Sequence, residues 1–164
     1  MSTWFLFLSQ FSIIAFALVG GVFLAFSDFI MRSLGTATST GGIEVMQAIN
    51  REVFKWVFMT LFLGMAPVSV VVIGYAYMNL TGPPAILIML AAGLYLVGVF
   101  GVTLAFNVPL NNRLAGMDFT SEAASDFWNT RYLPDWTFWN SVRTSASVLA
   151  ASLYLFAMVW LIQS

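Results

Sequence analysis

All thirteen charged side chains of this 164-residue chain fall inside two windows, residues 28–55 and 113–143. The segments 1–27, 56–112 and 144–164 carry none. A charge is costly in hydrocarbon, so uncharged apolar runs of membrane length read as spans. The chain is 60% hydrophobic and only 8% charged, against about a quarter charged in soluble proteins, which excludes a soluble globular enzyme. An even number of crossings puts both charged windows on one face of the bilayer and leaves the other face bare.

The expectation is an all-α integral membrane protein, a single four-helix transmembrane domain over residues 1–164. Its spans are placed at about 4–31, 53–78, 85–106 and 136–162, each longer than the ~20 residues that cross ~30 Å of hydrocarbon. Asn79-Leu80-Thr81-Gly82-Pro83-Pro84 is a short run of breakers that forces spans two and three into an antiparallel hairpin. The other two connections are longer and form a polar cap on one side of the bundle. Arg32, Arg51 and Lys55 flank the first, and Arg113, Arg131 and Arg143 flank the second. The positive-inside rule then makes both long connections cytoplasmic and both termini external, in a bacterial inner membrane. Met1-Ser2-Thr3-Trp4 lacks a basic leader and reads as the start of a span.

Ile43, Met46, Ile49 and Val53 recur at helical spacing against Glu44, Gln47, Arg51 and Lys55. That pattern suits an amphipathic helix on the membrane surface, or equally an extension of span two with one wet face. Asp118, Glu122 and Asp126 stand four apart, more in keeping with a solvated face than a cation site, and no metal is assigned. Pro134 is expected to break the chain, with Asp135 as N-cap of the last helix. Ala17, Gly21 and Ala25, and in span four Ala146/Ala150 and Ser147/Ala151, form small-residue stripes suited to close helix packing, within one copy or between copies. Leu24-Ala25-Phe26-Ser27 echoes Leu104-Ala105-Phe106-Asn107, and Asn50-Arg51 echoes Asn140 and Arg143. Two parallel helix-hairpin repeats would account for both echoes.

Cysteine and histidine are absent. This excludes disulfides, thiol catalysis and the usual ligand sets for haem, zinc, copper, iron–sulfur clusters or facial-triad iron. No cofactor is assigned, and a net charge of -1 gives no attraction to nucleic acid. Polar chemistry is densest in Asn107-Val108-Pro109-Leu110-Asn111-Asn112-Arg113, then at Trp128, Tyr132, Trp136 and Trp139-Asn140-Ser141-Val142-Arg143. One reading is structural: an interfacial aromatic belt, with Asn and Arg tying helix ends together. The other is a pocket, whose aromatic walls and convergent amides suit a flat, oxygenated aromatic ligand.

Gly20-Gly21-Val22-Phe23-Leu24-Ala25-Phe26-Ser27, Met46-Gln47-Ala48-Ile49-Asn50-Arg51, Asn107-x-Pro109-x-Asn111 and Trp139-Asn140-x-Val142-Arg143-Thr144 resemble the anthrone-oxygenase-like family. The motifs cover most of the chain in the family's order. The resemblance implies a small four-helix membrane protein. Some fungal members are assigned to oxidation of polyketide anthrones to anthraquinones with dioxygen and no metal. By that analogy Asn50, Arg51, Asn107, Asn111, Trp128, Tyr132, Trp136, Trp139, Asn140 and Arg143 contact a hydrophobic aromatic ligand. Any activity is at most that of a cofactor-independent oxygenase.

Two positions depart from the family: Ser141 stands where His is usual, and Met31-Arg32 where Met-Pro is common. A cofactor-free oxygenase needs a base to form the substrate anion that reduces oxygen. Asp28, the only acidic residue abutting a span end, is the candidate, provided the fold buries it. The alternative function is a non-catalytic subunit or assembly component of a larger membrane complex, with a protein partner or a second copy in the bilayer. A channel or transporter is weaker, since no span carries an ionisable residue near its middle.

Overall fold

Hydrocarbon offers the backbone no hydrogen-bond partner, so the uncharged runs close their bonds internally as helices. The computed structural model describes residues 2–55 and 57–163; Met1, Trp56 and Ser164 lie outside them. The helices are α1 (Thr3–Thr36), α2 (Ser39–Glu52), α3 (Val57–Asn79), α4 (Gly82–Ala115) and α5 (Glu122–Gln163). No strand occurs among the described residues. All but α2 are long and apolar enough to cross a membrane. They form an up-down ring in chain order, α1 against α3, α3 against α4, α4 against α5, and α5 closing on α1.

The spans continue well past the predicted hydrophobic limits. α1 reaches Thr36, α4 reaches Ala115, and α5 begins at Glu122 rather than near residue 136. Pro134 does not break the chain. The backbone widens into a π-turn over Trp128–Tyr132, and the Leu133 N–H reaches back to the Trp128 carbonyl. The proline that follows is absorbed without ending the helix, because the extra residue per turn relieves its missing donor and its ring clash. Pro109 is carried the same way after a π-turn at Thr103–Asn107. Asp135 therefore caps nothing; it lies within α5 and pairs with Arg131 at 3.1 Å. At the other end of the molecule Gly82, with φ 73°, makes the left-handed turn from which Pro83 and Pro84 start α4.

Helix α2 packs its apolar face on the bundle and does not run on into α3 as one α-helix. Thr38 caps it by accepting the Gly41 N–H at 3.2 Å, and a 3-10 turn at Val53–Lys55 separates it from α3. Ile43 and Met46 are fully buried in a cap cluster with Leu114, Phe127, Trp128 and Tyr132. Gln47, expected on the wet side, is buried as well and donates to the Leu114 and Met117 carbonyls at 2.8 and 3.0 Å. α2 thus plugs onto the end of α4.

The stripe on α5 packs inside the bundle, with Ala146, Ser147 and Ala150 buried. Its partners are Gly20 and Gly98, where an added Cβ would stand 2.9 Å from the Ser147 Cβ and 2.7 Å from the Ala146 Cβ. The Ala17-Gly21-Ala25 stripe faces outward instead, and nothing lies within 4 Å of a Cβ at Gly21. Asp118 precedes α5 and turns back on Thr120, so it shares no helix face with Glu122 and Asp126. Accepting from the Thr120 N–H and hydroxyl holds its carboxyl below the ordinary range.

Candidate functional site

A cavity of ≈ 170 Å³ lies between the transmembrane core and the cap cluster, lined by all five helices. Its walls are apolar. α1 brings Phe23 and Phe26, α2 Met46 and Ile49, and α3 Phe58, Met59 and Phe62. The polar groups come from Asn50 at the end of α2, Thr103 and Asn111 on α4, and Trp136 and Arg143 on α5. Val22, Leu63 and Leu104 line the cavity and are also exposed on the outer face of the bundle, so it reaches the side of the bundle there.

Arg143 dominates the electrostatics. It is 4% exposed, and its guanidinium lies 4.2 Å from the Phe23 ring centre and 5.3 Å from that of Trp136. Nη1 donates to the Thr103 hydroxyl at 3.1 Å and Nη2 to the Asn140 Oδ1 at 2.7 Å. Nε–H is buried without a partner. No carboxylate among the described residues answers this charge. The ion pairs among the described residues are Arg32–Asp28, Lys55–Glu52 and Arg131–Asp135, all on the surface.

Asn140 is fully buried behind Arg143, donating to the Phe23 carbonyl at 2.7 Å and the Ser27 hydroxyl at 2.6 Å. Asn107 donates to the Trp136 carbonyl at 3.2 Å, and its Oδ1 is buried without a partner. The Asn111 Oδ1 accepts from both the Tyr132 hydroxyl and the Trp136 Nε1–H, each at 2.8 Å. Asn50 reaches the same hydroxyl at 3.4 Å. Three of the four π-turns among the described residues, at Phe26–Ile30, Thr103–Asn107 and Trp128–Tyr132, carry or adjoin this network. Such turns re-aim side chains at functional sites.

The structure thus brings Asn50, Asn111, Trp136 and Arg143 to the cavity, with Asn107, Asn140 and Tyr132 directly behind them. Four other sequence candidates stand elsewhere. Trp128 is buried in the cap, stacked on Tyr132 with 5.2 Å between ring centres. Trp139 stacks on Phe106 at 3.5 Å, away from the cavity lining. Arg51 is exposed. Asp28 is not buried as the base role requires: its side chain is 65% exposed and bonded to Arg32 at 3.1 Å. Ser141 bonds Ser27 at 3.1 Å and lines a shallow groove on the outer face rather than the cavity. The echoing positions of the two halves take different partners, Ser27 bonding Asn140 while Asn107 bonds the Trp136 backbone.

Sequence reasoning missed Thr103, which anchors Arg143, and the phenylalanine walls. Thr103 was findable, since it stands four residues before Asn107 and eight before Asn111, on one face of α4.

Fold and cavity together define a small helical membrane protein whose capped end encloses an apolar pocket around an unpaired arginine. A family model described as anthrone oxygenase matches residues 51–153, and the chain belongs to that family. The matched segment includes Asn107, Asn111, Asn140 and Arg143. No curated protein and no solved structure matches the chain.

Proposed function

We propose that the cavity binds a flat, oxygen-bearing aromatic of the anthrone or quinol type, and that the protein oxidises it with dioxygen without a metal. For an anthrone the ring methylene becomes a carbonyl; one oxygen atom of dioxygen enters the product and the other leaves as water. The observation that carries this reading is Arg143, a buried cation with no carboxylate partner at the wall of an apolar cavity. A buried charge is costly unless paired, so a bound oxygen that carries or develops negative charge restores the balance. Phe23, Phe26, Phe58 and Trp136 offer ring faces to a planar ligand. The sideways opening past Leu63 and Leu104 suits a molecule dissolved in the bilayer.

Purified protein titrated with an anthrone tests this, with Trp fluorescence read for binding and oxygen uptake with quinone absorbance read for turnover. Arg143→Gln should lose binding by roughly tenfold or more, the scale of a charge-assisted hydrogen bond. Equal binding and turnover by the variant would sink the reading. A native extract with an empty cavity and a stably bound protein would favour the non-catalytic subunit instead.

The cap faces the cytoplasm of a bacterial inner membrane in this proposal, supported by the six Lys and Arg residues, none near the short α3–α4 turn. The cysteine-free chain makes the test simple. In intact cells an impermeant maleimide should label Thr81→Cys and spare Thr120→Cys; the reverse pattern would invert the topology.

A further inference from the structure

The polar groups around the cavity are not neutral about what they bind. Thr103 donates its hydroxyl hydrogen to the Val99 carbonyl at 2.8 Å, so toward Arg143 it acts only as acceptor. Both bonds made by the Asn140 amide nitrogen lead away, to Phe23 and Ser27, which fixes its oxygen on Arg143. The guanidinium is therefore gripped from behind by two neutral acceptors, with Nε–H left over. The Asn111 amide is oriented the same way: with two donors on its oxygen, its NH₂ is the group left without a partner among the described residues. The remaining capacity along the cavity lining is thus the Arg143 cation, the Asn111 amide donor and the Asn50 oxygen as acceptor.

Groups able to remove a proton are missing from the same wall. No Asp, Glu or Lys lines the cavity among the described residues, and the chain has no His. The elements packed around Arg143 present the Phe23 ring from α1, Thr103 from α4, and Asn140 and Trp136 from α5. Tyr132, bonded to Asn111 and Asn50, is the other titratable group of this network among the described residues. Asp28 and Arg32 on α1, Glu52 at the end of α2 and Lys55 just after it, and Arg131 and Asp135 on α5 pair with one another at the surface.

We propose that the pocket takes its ligand as an oxyanion and makes that anion without a protein base, an inference that rests on the ligand class given above. The acidic O–H or enolisable C–H of the ligand loses its proton to water at the cap end of the cavity, where Phe54 both lines it and is exposed. The electron pair stays on the ligand, delocalised onto the oxygen that faces Arg143. That anion is the electron-rich form able to reduce dioxygen. The arginine takes the place of a general base by stabilising the product of ionisation rather than by accepting the proton. The loss of the family's usual His at Ser141 then costs this step nothing, since position 141 faces the outer groove.

The sign of one measurement decides the matter. An apolar cavity alone holds an acid in its neutral form, whereas a donor-lined cationic one ionises it. The probe is alizarin, a hydroxyanthraquinone whose colour changes on ionisation, titrated with the full-length protein in detergent and in empty micelles. Bound to wild type it should ionise at a pH lower by about one unit or more than in micelles. Arg143→Gln should raise that midpoint to the micelle value or above. Asn111→Asp keeps the acceptor for Tyr132 and Trp136 but replaces the donor, so it should also raise the midpoint, and it guards against a folding defect specific to Arg143. If alizarin binds wild type yet ionises at or above the micelle midpoint, this proposal is overturned while the ligand reading stands. If alizarin does not bind, both fall.

Discussion

The protein has two interiors built on different rules. The transmembrane core is rich in small residues, with Ala91, Ala92, Ala146, Ala150 and Ala157 all buried. Most of its hydroxyls bond back to their own helix, as Ser9 does to Phe5, Ser12 to Leu8 and Ser69 to Met65. Tyrosines reach across, Tyr154 to Ser9 and Tyr95 to the Phe62 carbonyl. The cap core is made of large side chains, and its hydrogen bonds run between helices, from Gln47 to α4, from Tyr132 and Trp136 to Asn111, and from Asn140 to α1. In lipid there is no hydrophobic drive between helices, so close backbone approach has to hold them. At the water interface apolar burial drives packing, and polar side chains can tie the elements. The cavity sits at the seam, where neither rule fills space.

If the two interiors are separate in kind, damage to one should spare the other. Trp128→Ala removes the largest fully buried side chain of the cap and should cost about 3–5 kcal/mol locally. Hydrogen exchange should rise in α2 and the 116–133 region while mid-span amides of α1 and α5 stay protected. Uniform loss of protection would merge the two interiors into one cooperative unit.

The transmembrane rule is tested by a pair of glycines. Gly98→Ala puts a methyl 2.7 Å from the Ala146 Cβ and should destabilise by about 1–3 kcal/mol. Gly21→Ala meets nothing within 4 Å and should stay within about 0.5 kcal/mol of wild type in a detergent melt. Equal effects would mean that close approach is not what holds α4 to α5.

The smallest effect lies at the cap rim. Asp118 is held below its ordinary value of 3.8 by its bonds to Thr120. A depressed carboxyl contributes stability above its unfolded value and loses it as the pH falls through the folded one. Wild type should therefore lose a little more stability than Asp118→Asn on acidification below about pH 4. Because the group is exposed, the difference should be small, and a larger acid loss in the variant would refute the assignment.

Much of this was legible residue by residue. The uncharged runs, the breakers at Gly82, Pro83 and Pro84, and the misplaced Arg143 and Asn140 follow from the cost of polar groups in hydrocarbon, a cost that composition and position alone reveal. Trp128, Trp136 and Trp139 were not distinguishable, because an interfacial tryptophan has the same sequence signature whether it faces a cavity, a cap core or lipid. Pro134 misled because the breaker rule assumes an α-helical ladder, and a π-turn changes the ladder rather than the residue. Asp28 abuts an apolar run in sequence, but which face of α1 carries it, here an exposed one paired with Arg32, is not written there.

Charge and hydropathy along the chain were enough to find four helices apolar enough to cross a membrane and to gather every charge at one end. That much is transfer free energy, a property of each segment taken singly. That α2 closes on the bundle, that Arg143 has no carboxylate partner among the described residues, and that both donors to Asn111 fall on its oxygen were settled by packing in three dimensions. Those outcomes depend on which side chains from five helices meet within hydrogen-bond distance, and a charge pattern along one dimension does not encode those distances.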